Sequence, residues 1–598
     1  MHMHWHKKSL VDKKSLLAVL FLSVLLIGIF IGQSWSTSST TVSPTNIVLN
    51  DKVNSSLNVT SIYLNQTWWN DNNRTDAIAN PVGPYSFLIY TEGTNYFGKN
   101  GTDEQICWSS TNASSIIGTA IGNATGKGPV VLADGTYICD SNITLLSSTT
   151  LCGTSKQGTI LKVKDGTASN FALLTAVGTS GSHIHDVYVH DLTLDGNNAS
   201  VASNYVSGIY GNYVDNITVE ACKFLNFNAA GMWFYTASGL MIDRNFFSGI
   251  NLMVSAGDPD AAIHLTYTTN STVTENQIFG CKRRGIDVCT GVYTVTISDN
   301  IIGYCSEYGI SMRAFDCTVM GNTIYGCTIA GILLDQWTNN TVVNSNVCYQ
   351  NVQNGIYCYY AFSNSISNNV ITENGNEGIY FWGANSFNNI VGNTFRGNAY
   401  NGLRFYNCAN NTVTSNYFME NSQATTNSYS DIFLYSASNM TIQGNTFSVG
   451  SKANKVQYAI NVNSATCTGE IIRYNIFQGG CATANTYFAL IPRKSVVMTG
   501  NIGYNPLGYI ANPLYVASGD ANSTIVDSGN NATWISARTY TNWGSPKLLV
   551  ISGGTVTAIA FDGQTLFTSD TNCTFVLQPA DTFSVTYSIA PTITVFGQ

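Results

Sequence analysis

Short runs of alternating apolar and polar residues recur along the middle of the chain. STVTEN, YTVTISDN, CTVMGN and NTVVNSN are period-two stretches rich in β-branched residues, which predicts strands rather than helices. They are also in register. Asn276, Asn300, Asn322, Asn346, Asn369 and Asn393 are each followed ten residues later by an aliphatic residue: Ile286, Ile310, Ile332, Ile356, Ile379 and Leu403. Every one of these aliphatics follows a glycine, as in GIDV, GISM, GILL, GIYC, GIYF and GLRF. Units spaced about 23 residues apart cannot bury an apolar face alone, so they must stack and share one core. Each unit reads as strand, Asn turn, short strand, Gly turn and GIxx strand. This predicts an all-β parallel β-helix of three strands per coil, with the turn amides bonded from coil to coil.

The register also sets the phase of the GIxx strand. With the aliphatic residue inward, the residues one and three places later face outward. The first outward column is then Tyr210, Trp233, His264, Asp287, Ser311, Leu333, Tyr357, Tyr380, Arg404 and Phe433. The second is Asn212, Tyr235, Thr266, Cys289, Arg313, Asp335, Tyr359, Trp382, Tyr406 and Tyr435. Ten aromatics on one face form a larger apolar patch than a monomer ordinarily leaves bare, and flat rings among hydroxyls and amides suit sugar rings. The competing reading is that the rings pack on one another as cross-strand neighbours. The interval before the GIxx strand lengthens to 18 residues from Asn245 to Ile263 and to 16 from Asn416 to Ile432, placing loops that could wall a groove.

Composition adds location. Lys7, Lys8, Lys13 and Lys14 precede the apolar run 16–32, which predicts a basic inner tail (1–15) and an uncleaved anchor or signal peptide. Residues 33–84 are then an exported Ser/Thr/Asn-rich linker. Crowded N-x-S/T sequons, among them Asn54, Asn58, Asn65 and Asn73, agree with a glycosylated cell-surface or secreted chain. With 26 basic against 34 acidic residues, nothing suggests a nucleic-acid partner. Cys281, Cys305 and Cys327 each lie five residues after a register Asn and predict a buried column of thiols. The lack of any C-x-x-C pair argues against zinc.

Upstream, residues 114–124 read as a short amphipathic helix. Beyond about residue 505 the register is lost, and KLLVISG, TVTAIAFDG, CTFVLQ and TFSVTYSI predict a small antiparallel β domain over 505–598, sandwich-like and covering the last coil. The lead-in YSFLIYTEGTNYFGKNGT, the helix, and GPVVLADGTYICDSNITLLSSTTLCGTSKQGTILK, spread over 85–165, resemble the rhamnogalacturonase/epimerase type of the pectate-lyase-like superfamily. With the later coils, the similarity covers about residues 85–504. The resemblance implies a right-handed helix with its substrate groove over the GIxx strands. It does not supply catalytic residues. The Asp-Asp, Gly-His-Gly and Arg-Ile-Lys strings of polygalacturonase-type hydrolases do not occur, and the Asp-Pro-His of alginate-type epimerases is approached only by Asp258-Pro259-Asp260.

The chemistry must therefore come from the residues. His264, Asp287, Arg313 and Asp335 interrupt the aromatic face on four successive coils, a span of roughly 15 Å at the spacing of paired strands. A lyase or epimerase of uronic-acid polymers needs a base, a neutraliser of the substrate carboxylate and an acid. His264 or Arg313 suits the base, and Arg313 with Arg283 and Arg284 suits the neutraliser. Asp258 or Asp260 suits a calcium ion in the arginine's place. Asp287 and Asp335 are the pair an inverting hydrolase would use. Trp233, Tyr235, Tyr357, Tyr359, Tyr380, Trp382, Arg404 and Tyr406 are the substrate-binding candidates. For each charged residue the plain alternative is a solvated charge or an Asp287–Arg313 salt bridge. Asp195 reads as a turn residue, and His183, His185 and His190 as ordinary strand positions. The whole points to a polysaccharide lyase or epimerase or, alternatively, to a non-catalytic adhesin or surface-coat protein binding a glycan on the same face, as a homotrimer in the manner of viral spikes.

Overall fold

The computed structural model describes residues 85–502 apart from 168–169, 202–204, 251–260, 449, 465, 480, 489–496 and 500, and beyond 502 a set of strands between 514 and 597. The basic tail, the apolar run 16–32 and the linker lie outside the described residues, as do Asp258 and Asp260. Among the described residues no helix is long and apolar enough to cross a membrane.

The coils are as the register predicts. In one unit Tyr308–Phe315 is the GIxx strand, Thr318–Met320 the second and Thr323–Tyr325 the third. Each pairs in parallel with its counterpart one coil on, as Ile310 with Ile332, Val319 with Val343 and Ile324 with Cys348. The third strands alone form a 14-stranded parallel sheet. Inward positions are Ile, Val, Leu, Phe and Cys, and Phe395, Phe418, Phe447 and Phe477 stack face to face through the core at 4.6 to 5.1 Å. The core is thus continuous and belongs to no single coil.

The register asparagines are buried, and each is satisfied by its neighbours. Asn276 Nδ2 donates to Asn300 Oδ1 (3.0 Å), and the relay runs from Asn245 through Asn322, Asn346, Asn369, Asn393, Asn416, Asn445 and Asn475 to Asn501. The backbone N–H of each Asn donates to the same oxygen, and its second amide hydrogen reaches a main-chain carbonyl of the previous coil, as from Asn300 to Val273 O (2.9 Å). A turn that would otherwise bury unpaired main-chain groups is closed in this way. The thiols Cys281, Cys305 and Cys327 are buried and free, and their column continues as a second amide relay, Asn351, Asn374, Asn398 and Asn421, ending on Asp431.

Helix Ala113–Ala124 is capped by Asn112, whose side chain accepts from Ser115 N (2.9 Å), and it buries Ile116, Ile117 and Ile121 in the core of the first coils. The lead-in strands Phe87–Glu92, Asn95–Asn100 and Ile106–Ser110 are antiparallel, and the first of them pairs in parallel with Val130–Leu132. At the C-terminus a six-stranded and a three-stranded antiparallel sheet contribute Leu549, Ile551, Val556, Ile559 and Phe583 to one separate core.

Candidate functional site

The outward column keeps its predicted order: Tyr210 pairs with Trp233, Trp233 with His264, His264 with Asp287, Asp287 with Ser311, and so on to Arg404 with Phe433. Its middle, however, is not an exposed surface. His264, Asp287, Ser311 and Leu333 are all buried. From the preceding coil the Trp233 ring stands edge-on to His264 at 6.5 Å, while Arg284 and Cys289, on the same strand as Asp287, bond to its carboxylate.

Asp287 is the centre of this cluster. Its Oδ2 receives Arg284 Nη1 (3.0 Å) and the Cys289 thiol (3.2 Å), and His264 Nδ1 lies 3.1 Å away, close enough for an ion pair but outside hydrogen-bond alignment. His264 Nε2 is 3.0 Å from Thr266 Oγ1. Burial by itself would push the Asp287 carboxyl up, but the imidazole, guanidinium and thiol around it outweigh that and hold it below the usual carboxylate range. The Cys289 thiol is pushed up to about 12, first by burial and then by the Asp287 charge. A local irregularity aims the thiol. The pairing slips on both sides of Cys289–Gly291, and Gly291 takes the left-handed φ of +74° that such a bulge requires. Cys289 is the residue that sequence reasoning placed on this face without giving it a role. The spacing of the register does not mark it, because the 24-residue step from Asn276 to Asn300 recurs from Asn322 to Asn346 and from Asn369 to Asn393.

The other candidates are paired elsewhere. Arg283 and Arg284 share Glu307 (2.9 and 3.4 Å), and Arg313 pairs with Asp335 rather than with Asp287. Arg404 holds the buried Glu377 (3.0 Å) and lies between the rings of Tyr380 and Phe433, at 5.0 and 5.5 Å from their centroids. The rings beside it do not lie flat. Tyr357 stacks on Tyr380, Tyr359 on Trp382 and Tyr406 on Tyr435 at 5.0 to 5.5 Å with interplanar angles of 25°, 17° and 4°. Their faces therefore cover one another along the helix axis, and edges are what point outward. Tyr235 stands edge-on to Tyr267. His183, His185 and His190 do not converge, each taking its own carboxylate (Asp215, Asp186 and Asp191), and Asp195 closes a turn by accepting from Asn197 N.

One concave region lies on the column. An open cleft of about 350 Å³ is lined by Phe171, Tyr205, Tyr210 and Trp233 with the amides of Asn142 and Asn170. Its volume is that of a small-ligand site, apolar with a few polar groups. Trp233 Nε1 is buried with no hydrogen-bond partner among the described residues, so the indole meets the cleft with its carbon ring and not with its N–H. Trp233 then leads directly to His264. Among the described residues, His264, Asp287 and Cys289 form a group able to hold a metal, with donor atoms within 4.8 Å of one another.

The NosD family, described as a periplasmic copper-binding protein, matches residues 197–324 and 251–450. No curated protein matches by sequence. Among solved structures, the A-module of mannuronan C-5 epimerase AlgE4 from Azotobacter vinelandii is 16% identical, covering 63% of this chain and 96% of its own, with a TM-score of 0.38. The Dettilon tailspike protein is 12% identical (80% and 90% covered, TM-score 0.43), and PfbA, a surface adhesin of Streptococcus pneumoniae, is 14% identical (70% and 96%, 0.37). Stacked three-strand parallel coils and the asparagine relay make the chain a parallel β-helix protein, and the NosD match over the central coils is consistent with the pectate-lyase-like superfamily.

Proposed function

We propose that this chain is an exported glycan-binding β-helix that acts on an acidic polysaccharide by abstracting a proton beside a uronate carboxylate. The observation that carries the reading is the cleft floored by Tyr210 and Trp233, which opens on the same column as the His264–Asp287 pair. A sugar ring seated against the Trp233 ring would meet the amides of Asn142 and Asn170. His264 would then take the proton on Nε2, with Asp287 beside Nδ1 to stabilise the imidazolium. The electron pair left on carbon either expels the neighbouring glycosidic oxygen, as in a lyase, or is reprotonated from the opposite face, as in an epimerase. Arg313 is the neutraliser this scheme assigns to the substrate carboxylate. Asp287, held ionised, is no general acid, which weighs against an inverting hydrolase built on Asp287 and Asp335. The sequons and the basic, then apolar N-terminus support export. The copper named in the NosD description would find a donor set in His264, Asp287 and Cys289, whose nitrogen, oxygen and sulfur suit such an ion.

A binding-only reading is favoured by one observation: Arg283, Arg284, Arg313 and Arg404 each already hold a carboxylate of this chain. A screen of uronic-acid polymers separates the two, read for retention and for the unsaturated or epimerised product. Turnover by the wild type that is lost in His264→Ala supports catalysis. Retention without product supports binding alone, and neither retention nor product sinks the proposal.

A further inference from the structure

The geometry points to a transition-metal site at His264 Nδ1, Asp287 and Cys289 Sγ, taking a borderline or soft cation such as Zn²⁺. Asp287 and Cys289 are two residues apart on one strand and so share its outward face. His264 is the in-register partner of Asp287 on the preceding coil. All three thus stand on rigid paired strands, and the Cys289–Gly291 bulge turns the thiol back over the carboxylate.

The spacing suits a metal. Bonds of about 2.0 to 2.3 Å in a tetrahedron put neighbouring ligand atoms about 3.4 Å apart. Here Nδ1 is 3.1 Å and Sγ 3.2 Å from Asp287 Oδ2, and all three donor atoms lie within 4.8 Å of one another, so side-chain rotation draws them into the set. His264 Nδ1 is buried and has no hydrogen-bond partner, although it faces two potential ligands. Thr266 Oγ1 at Nε2 fixes the ring as an outer-shell partner does. A mixed nitrogen, oxygen and sulfur set selects against Ca²⁺ and Mg²⁺, which take oxygen.

Two arginines oppose a cation here, and the structure gives each another anion. Arg284 keeps Glu307 when Asp287 turns to the metal, and Arg313 keeps Asp335. On binding, Cys289 gives up its thiol proton to solvent and a metal–sulfur bond forms. With Nδ1 coordinated, His264 is no longer free as a base, so the filled site and the proton-abstracting form are alternatives. The site itself stands on donor geometry and not on the glycan reading.

Cobalt(II) is the probe, titrated into the reduced, chelator-treated protein. Saturation at one ion per chain is expected, with a thiolate-to-cobalt charge-transfer band and the intense visible bands of tetrahedral cobalt, displaced by Zn²⁺. Cys289→Ser should remove the charge-transfer band and weaken binding at least tenfold, whereas Cys107→Ser, at an exposed thiol elsewhere, should change neither. On the wild type, which avoids any folding defect of a variant, Zn²⁺ should protect Cys289 from alkylation as mapped by mass spectrometry. Absence of the band, its persistence in Cys289→Ser, or equal labelling with and without Zn²⁺ overturns the site. Failure of the glycan reading looks different: the band is intact and no polymer is retained.

Discussion

Truncating one register asparagine removes more than a side chain. Asn346 Oδ1 accepts from Asn322 N (3.0 Å) and Asn322 Nδ2 (2.9 Å), while its own Nδ2 serves Asn369 Oδ1 (3.0 Å), Val319 O (2.9 Å) and Asn344 O (3.1 Å). After Asn346→Ala some of these partners are still served. Asn322 Nδ2 keeps Ile297 O and Met320 O, and Asn369 Oδ1 keeps the main-chain N–H of residue 346. The Asn322 N–H and the amide bond to Val319 O are not replaced. Two fully buried main-chain groups losing a partner, at about 1 to 3 kcal/mol each, give a cost of about 2 to 6 kcal/mol. Asn368→Gly is the control. That side chain is exposed and makes one bond, to Asn344 Oδ1, and glycine accepts the left-handed φ of +55° that Asn368 takes, so its removal should cost under about 0.5 kcal/mol. Urea unfolding by circular dichroism should separate the two variants. Hydrogen exchange should show the Asn322 amide opening fastest in Asn346→Ala, because stacked coils open locally. Equal midpoints, or an unchanged Asn322 amide, would refute the relay as a source of stability.

Two further predictions concern buried charges. Burial pushes Asp431 up to about 7 against an ordinary value near 4, with the bond from Asn421 only partly offsetting it, so the folded chain keeps this proton over a range where the unfolded chain has released it. The stability it lends is complete below about pH 4 and is lost as pH rises through about 7; the gain of Asp431→Asn over wild type should therefore grow from pH 4 to pH 8, by at most about 4 kcal/mol. Urea midpoints at pH 5 and pH 8 test this, and an equal difference at both contradicts it. Arg404→Ala strands Glu377 in the interior and should cost about 3 to 5 kcal/mol, with much of the loss recovered in Arg404→Ala/Glu377→Gln. A double variant as unstable as the single one would contradict this.

The fold was legible because its two determinants, strand alternation and the Asn-to-aliphatic interval, are one-dimensional. They set the phase of every coil, so the pairing of His264 with Asp287 or of Tyr380 with Arg404 could be read before any coordinates. The second amide relay was within reach too, since Asn351, Asn374, Asn398 and Asn421 continue the cysteine column five residues after each register Asn. What escaped depends on side-chain torsions and on the 4.8 Å repeat. The rings of Tyr359 and Trp382 stack on each other instead of lying flat, and Arg313 reaches Asp335 and not Asp287. The Cys289–Gly291 bulge, beside which imidazole, carboxylate and thiol meet, leaves no mark in the register, since its 24-residue step is shared by other coils.

Affinity of one retained uronic-acid oligosaccharide for three proteins decides whether glycan is held in the cleft at Tyr210 and Trp233. Against wild type, Trp233→Ala should weaken binding at least about tenfold, as loss of a central aromatic anchor does, because it removes the largest ring that lines the cleft. Trp382→Ala, whose ring face is already covered by Tyr359, should change it less than about threefold. Binding that survives Trp233→Ala but fails in Trp382→Ala would contradict the account.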